Sequence, residues 1–108
     1  MAVVWQMAGK FRTGMLDQVH AEFRKLRPLF ESTPGFLRAQ IFANATSRQL
    51  QLLTFWDSYE TSVAFFKGSG PDLMKPFNPY VEDMGTVVCS AVTYEFNRGV
   101  PAPAPAAS

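Results

Sequence analysis

Two β-favouring runs separated by a short polar turn constrain the fold of this chain more than any other stretch. Residues 36–43 and 49–56 are rich in aromatic, branched and leucine side chains, and residues 44–48 between them are polar. Runs of this length joined in this way are typical of a β-hairpin. Because successive side chains of a strand point to opposite faces, one face of the second run is formed by Leu50, Leu52, Thr54 and Trp56. Leu53 and Phe55 lie on the opposite face, so this strand requires burial on both sides.

A strand and an amphipathic helix are predicted before the hairpin. Residues 2–8 are apolar and β-favouring, and Val3, Trp5 and Met7 share one face. Apolar side chains then recur at spacings of three and four, which predicts a helix over residues 14–31 with Thr13 as its N-cap. Pro28 removes one backbone donor and is expected to kink or loosen the last turns.

A second helix and a last strand are predicted after the hairpin. Asp57 followed three positions later by Glu60 has the spacing of a capping box, which predicts a helix over residues 58–67. The three prolines within residues 70–84 favour one or two short helical turns there. Residues 86–96 are predicted to form the final strand, with Cys89 buried as a small apolar group.

The element order β-α-β-β-α-β predicts an α+β, ferredoxin-like domain over residues 1–96. Its four-stranded antiparallel sheet would carry both helices on one face, leaving apolar residues uncovered on the other. An uncovered apolar sheet face is uncommon on a monomer, so we expect a homodimer whose sheets form a dimeric α/β barrel. Residues 97–108 form a Pro/Ala-rich tract, for which we expect a disordered tail.

Composition restricts the classes of partner and location. The chain has 108 residues and a formal charge of +1 without a basic stripe, so we expect no nucleic-acid partner. With one cysteine and one histidine, neither an internal disulfide nor a dedicated Cys/His zinc site can form. No apolar run approaches about 20 residues, and the first residues lack the order of a secretory signal. These observations predict a cytoplasmic protein without membrane contact.

Three short motifs carry a resemblance to a known family: Pro34-Gly35-Phe36 at the turn into the second strand, Phe55-Trp56-Asp57-Ser58 where the third strand meets the second helix, and Ala64-Phe65 within that helix. Over about residues 2–96 the chain resembles the antibiotic biosynthesis monooxygenase (ABM) type of dimeric α+β barrel, whose relatives include small haem-degrading enzymes. Pro-Gly and Asp-Ser are also ordinary turn and capping residues, so these motifs indicate the fold more than the chemistry.

The resemblance implies a cofactor-independent monooxygenase acting on a hydrophobic aromatic or polyketide-type intermediate of specialised metabolism. Such enzymes use no metal or flavin, because an ionised, electron-rich phenol or anthrone reduces O₂ directly. A cofactor-free cyclase or isomerase on the same ligand class, and a non-catalytic ligand-binding or dimerisation module, are the alternatives.

The resemblance also places a ligand between the helices and the sheet of each subunit. Candidate substrate-binding residues are Trp5, Met7, Val19, Phe23, Leu52, Thr54, Phe65, Phe66, Met74 and Phe77. Trp56 matches the family tryptophan whose indole N–H could address a substrate oxygen, while His20, Tyr59 and Asn78 are the further catalytic candidates. Leu52 and Ser62 stand where some members carry asparagine and tyrosine. For each apolar candidate, an ordinary core role is the competing interpretation.

Haem binding is the less favoured possibility within this resemblance. The haem-degrading branch uses an axial histidine and an asparagine, and the matching positions here are Met74 and Met7. Methionine sulfur can ligate haem iron, but the polar group that assists oxygen activation is missing. We therefore expect no cofactor.

Overall fold

A computed structural model describes residues 1–96, apart from the side chains of Pro71 and Met84. The predicted tail, residues 97–108, lies outside the described residues. The elements are β1 (Val3–Phe11), α1 (Leu16–Glu31), β2 (Phe36–Ala43), β3 (Gln49–Trp56), α2 (Tyr59–Leu73), a 3₁₀ turn (Lys75–Phe77) and β4 (Val81–Ala91). The sheet order is β2-β3-β1-β4 with every neighbouring pair antiparallel, which confirms the ferredoxin-like α+β prediction. Neither described helix combines the length and hydrophobicity that crossing a lipid bilayer demands.

The register of the sheet separates an inner face, toward the helices, from an outer face. Trp5 lies opposite Thr54 and Met7 opposite Leu52, so alternate residues of β1 and β3 share the inner face as predicted. The outer face carries the intervening residues of all four strands, including Val4, Arg38, Phe42, Leu53, Phe55 and Val88.

The predicted start of the first helix is wrong by two residues. The N-cap is Met15, without a side-chain capping bond, rather than Thr13. Gly14 follows Thr13 with φ +77, and the Met15 amide donates to the Arg12 carbonyl at 3.0 Å. This left-handed turn redirects the chain before the helix begins at Leu16. Pro28 lies inside the helix, which continues three residues beyond it.

The predicted cap and end of the second helix are also wrong. Ser58 is the N-cap, and its hydroxyl accepts from the Thr61 amide at 3.2 Å. Asp57 instead accepts from the Thr61 hydroxyl at 2.7 Å. The helix continues past Pro71 to Leu73, which is buried in the core, so burial of this last turn offsets the lost backbone bond. The predicted short turn after it is present as the 3₁₀ turn.

The last strand begins and ends five residues earlier than predicted. It pairs with β1 from Val3↔Ala91 to Phe11↔Val81, so the length of β1 sets its limits. Beyond β4, the Val92 amide donates to the Ala2 carbonyl at 2.9 Å. Residues 92–96 then border a recess of about 440 Å³ against the outer face.

Gly85 permits the irregular pairing of β4 with β1. Its φ is +68, and a Cβ built there would lie 1.4 Å from the Ala8 carbonyl oxygen. Only glycine allows this approach, since any side chain would force the two strands apart.

We expect Gly85→Ala to lower the free energy of unfolding by roughly 2–4 kcal/mol, from backbone strain together with the clash. Gly14→Ala is the matched control, because Gly14 has φ +77 but nothing within 4 Å of its added Cβ. Urea denaturation should show a loss of only about 1–2 kcal/mol for the control. Equal losses in both variants would contradict the close approach.

Candidate functional site

An apolar cavity of about 190 Å³ lies between the inner face of the sheet and the two helices. The strands contribute aromatic, thioether and aliphatic side chains, and the helices close the other side. It is lined by Trp5, Gln6, Met7, Leu26, Phe30, Leu52, Thr54, Phe66, Gly70, Leu73, Met74 and Val87. Val87 is 53% exposed on the edge strand, so the cavity borders solvent beside it.

The cavity exists because the core is divided into two clusters. One is built around Phe30, Trp56 and Phe65, and the other around Val19 and Phe77. Leu26 and Met74 pack against both clusters, and both line the cavity. These flexible side chains bridge the two clusters without filling the space between them, which leaves room that a ligand could occupy.

The Trp5 indole forms one side of the cavity, and its N–H already has a hydrogen-bond partner within the protein. Its Nε1–H donates to the Ser62 hydroxyl at 2.7 Å, and that hydroxyl donates to the Tyr59 carbonyl at 2.7 Å. The Trp5 ring contacts Phe66, with centroids 5.1 Å apart, and lies parallel to the Tyr59 ring at 6.4 Å. Ser62 thus fixes the orientation of Trp5.

Trp56 and Thr54 form a second buried pair. Trp56 is 0% exposed, and its Nε1–H donates to the Thr54 hydroxyl at 3.0 Å. The Trp56 ring is surrounded by Phe30, Phe36 and Phe65 at centroid distances of 5.2 to 6.4 Å. Thr54 lines the cavity whereas Trp56 does not, so Thr54 stands between the indole and any ligand.

A larger open groove of about 710 Å³ lies between α1 and β2. His20 lines this groove together with Arg24 and Arg27, and the groove shares Phe30 and Leu52 with the cavity. Glu31 accepts a hydrogen bond from Arg27, and this bond raises the pKa of the Arg27 guanidinium. His20 therefore lies on the other side of the Phe30 and Leu52 side chains from the cavity.

Six of the ten predicted substrate-binding residues line the cavity: Trp5, Met7, Leu52, Thr54, Phe66 and Met74. Phe23 and Phe77 border an adjoining space of about 20 Å³, which shares Met7, Leu52 and Met74 with the cavity. Val19 and Phe65 are buried in the core and line none of the cavities described for residues 1–96.

Sequence reasoning missed several lining residues. Leu26 and Phe30 continue the apolar stripe of α1 and could have been found by its periodicity. Gly70 and Leu73 could not, because the predicted second helix ended before them. Val87 was assigned to the last strand without a role.

The four predicted catalytic residues do not converge on one cavity. Trp56 is enclosed in the core, and His20 lies in the groove. Tyr59 is 53% exposed at the start of α2, and Asn78 is exposed after the 3₁₀ turn. Their catalytic roles stay predictions.

The side chains at the cavity offer few atoms that could coordinate a metal ion or haem iron. Met7 and Met74, the two residues considered above for haem binding, both line it. A space of 190 Å³ does not fit a haem, since pockets for drug-sized ligands already measure about 300–1,000 Å³. In residues 1–96 no group of three or more His, Cys, Asp or Glu side chains is placed to hold a metal ion.

Cys89 lies opposite Trp5 in the sheet and packs against the first core cluster. It is half-buried, and this burial raises the pKa of its thiol. A thiol with a raised pKa is a weak nucleophile near neutral pH, which agrees with the predicted apolar role.

Comparison with solved structures confirms the fold. A proposed antibiotic biosynthesis monooxygenase from Chloroflexus aurantiacus superposes with a TM-score of 0.69 at 16% identity, over 92% of this chain and 100% of that chain. A second proposed antibiotic biosynthesis monooxygenase, from Nitrosomonas europaea, superposes with a TM-score of 0.73 at 12% identity, over 89% of this chain and 94% of that chain. SnoaB, a cofactor-independent oxygenase from Streptomyces nogalater, superposes with a TM-score of 0.70 at 10% identity, over 84% of this chain and 92% of that chain.

No model of a protein family and no curated protein sequence matches the chain. The resemblance to ABM proteins is therefore shown at the level of the fold, which extends over nearly the full length of these structures. At such low identities the shared fold does not transfer a substrate or a reaction.

Proposed function

We propose that this protein is a cofactor-independent monooxygenase acting on a hydrophobic aromatic or polyketide-type intermediate. The observation that carries the proposal is the apolar cavity between sheet and helices, within a fold shared with SnoaB. Trp5, Phe66 and Met74 supply flat and adaptable walls for an aromatic ring.

The size of the cavity limits what it can enclose. A cavity of about 150 Å³ holds benzene, so 190 Å³ accepts one ring or part of a fused ring system. The small adjoining space shares three lining residues with the cavity, and two of these are methionines. Rotation of Met7 and Met74 would join the two spaces and admit a larger polycyclic ligand.

The proton chemistry must come largely from the substrate. Among the described residues, no side chain lining the cavity titrates near neutral pH. We therefore expect a substrate that ionises readily, such as a dihydroquinone or an anthrone. For an anthrone, the CH₂ carbon supplies four electrons to O₂. One oxygen atom becomes the new carbonyl and the other leaves as water, so the reaction balances without another reductant.

His20 is the candidate base for a ligand that extends beyond the cavity. The groove that His20 lines shares Phe30 and Leu52 with the cavity, so a substituent that displaced these side chains would approach the imidazole. Imidazole can accept a proton near neutral pH. A ligand confined to the cavity would not meet it.

Two alternatives use the same cavity. A cofactor-free cyclase or isomerase would convert the ligand without consuming O₂, and a binding module would hold it unchanged. The Trp56–Thr54 bond favours an enzyme, because a fixed hydroxyl at an apolar wall can orient a reacting oxygen.

We further propose a cytoplasmic homodimer in which a second copy covers the outer face. Phe42 and Val88 are about half exposed there, beside the half-buried Leu53 and Phe55. Arg38 adds a cation–π contact 4.2 Å from the Phe55 ring centroid. Large apolar side chains exposed on a sheet face favour association.

Gly70→Leu should abolish oxygenation by filling the cavity. We expect O₂ uptake with a dihydroquinone or an anthrone by the wild type, and at least a tenfold loss in the variant. A Cβ at Gly70 would meet Phe66 Cβ at 3.6 Å, an ordinary contact, and leucine favours the helix by about 1 kcal/mol. The melting temperature should therefore not fall.

Gly68→Leu is the matched control, since Gly68 lies in the same helix with open space around it and does not line the cavity. Its activity should equal that of the wild type. Product without O₂ uptake, lost only in Gly70→Leu, would favour the cyclase. Binding without any product would favour the ligand-binding module.

Light scattering should give twice the chain mass of 12.0 kDa for the wild type. Val88→Lys should shift the protein to the monomer, because it places a charge among the apolar residues of the outer face. Leu29→Lys changes a comparably exposed apolar residue on α1 and should leave the dimer intact. A wild-type monomer at micromolar concentration would contradict the assembly.

A further inference from the structure

One polar hydrogen at the cavity wall has no acceptor among the described residues. The Thr54 hydroxyl accepts from Trp56, but no protein acceptor for its own proton is found in residues 1–96. A hydroxyl can accept two hydrogen bonds and donate one, so its donor capacity is unused. Thr54 is 1% exposed, which leaves little access to bulk water.

The other polar side chains that line the cavity either already have a hydrogen-bond partner or point away from it. The Trp5 indole N–H is bonded to Ser62. Gln6 pairs with Leu53 on the outer face, so its side chain points away from the helices. Thr54 is therefore the remaining side chain that can offer a hydrogen bond to a molecule in this space.

The Trp56 indole strengthens and orients this donor. Because its N–H occupies one lone pair of the Thr54 oxygen, the hydroxyl proton must point elsewhere. A hydroxyl that accepts a hydrogen bond is also a better donor, since the two bonds polarise each other. The aromatic rings around Trp56 hold the indole in one position, so the lone pair of Thr54 that it occupies is fixed before a ligand arrives.

We propose that the Thr54 hydroxyl is the subsite for one acceptor oxygen of the ligand, with Trp56 as its positioning residue. The ligand class is thereby narrowed to a flat apolar molecule carrying a carbonyl or phenolate oxygen on the ring that enters the cavity. The inference deepens the proposed function by using the same cavity, but it concerns binding and does not require turnover.

The test compares two bicyclic probes, 1-tetralone and tetralin, which differ in one carbonyl oxygen. The ratio of their dissociation constants is measured by calorimetry for the wild type, Thr54→Ser and Thr54→Val. Losing one neutral hydrogen bond should reduce the preference for tetralone about three- to tenfold in Thr54→Val. Thr54→Ser keeps the hydroxyl and should keep the preference.

A merely structural role for Thr54 would give a different result. Thr54→Val would then lower stability, by leaving the Trp56 N–H unpaired, while the ratio of the two dissociation constants stayed at the wild-type value. That outcome, or failure of the wild type to bind either probe, overturns the proposal.

Infrared spectroscopy keeps the proposal testable if Thr54→Val does not fold. The carbonyl stretch of bound 1-tetralone should lie below its frequency in an alkane solvent, in the wild type and in Thr54→Ser. A frequency equal to that in the alkane would overturn the proposal. If tetralone is preferred while no substrate consumes O₂, the subsite stands and the proposed oxygenation fails.

Discussion

The antiparallel register between β1 and β3 determines what the cavity is made of. It sets Trp5 opposite Thr54 and Met7 opposite Leu52, so these alternate residues of both strands face the helices. A slip of β1 by one residue would bring Gln6 to the helices in place of Trp5 and Met7, and the inner face would lose the aromatic and sulfur-containing wall that β1 supplies. The close approach at Gly85 extends the same constraint to β4, which brings Val87 to the cavity.

Two hydrogen-bonded tryptophan–hydroxyl pairs, one of them fully buried, account for the limited polarity of this apolar wall. Trp5 and Trp56 each satisfy their N–H within the protein, through Ser62 and Thr54. An indole N–H buried without a partner would be costly, so these hydroxyls stabilise the fold whatever the protein binds. The Thr54 proton is what remains available to a ligand.

Sequence reasoning succeeded where the signal is local and periodic. The bounds of β2 and β3 are those predicted, and the alternation of β1 and β3 assigned their faces correctly. It failed where tertiary contacts decide. Pro71 does not end α2 because Leu73 is buried beyond it, and the limits of β4 depend on pairing with β1 and on Gly85.

The candidate site was predicted in part for the same reason. Six predicted residues line the cavity. Four of them lie on the inner face of the sheet through strand alternation, while Phe66 and Met74 come from α2 and its C-cap. The partner of the Trp56 indole is two residues away on its own strand, and no pattern indicates whether that N–H faces a ligand or a neighbour. Likewise, His20 belongs to the apolar side of α1, but the position of Phe30 decides that it borders the groove.

The central claim is that Trp5, Met7, Leu52 and Phe66 enclose a preformed apolar cavity that can take up a ligand. Diffraction from a crystal pressurised with xenon tests this most directly, because xenon enters dry apolar cavities of this size. The account predicts a xenon peak enclosed by these four side chains. A space filled by repacked side chains, with no xenon bound, would contradict it.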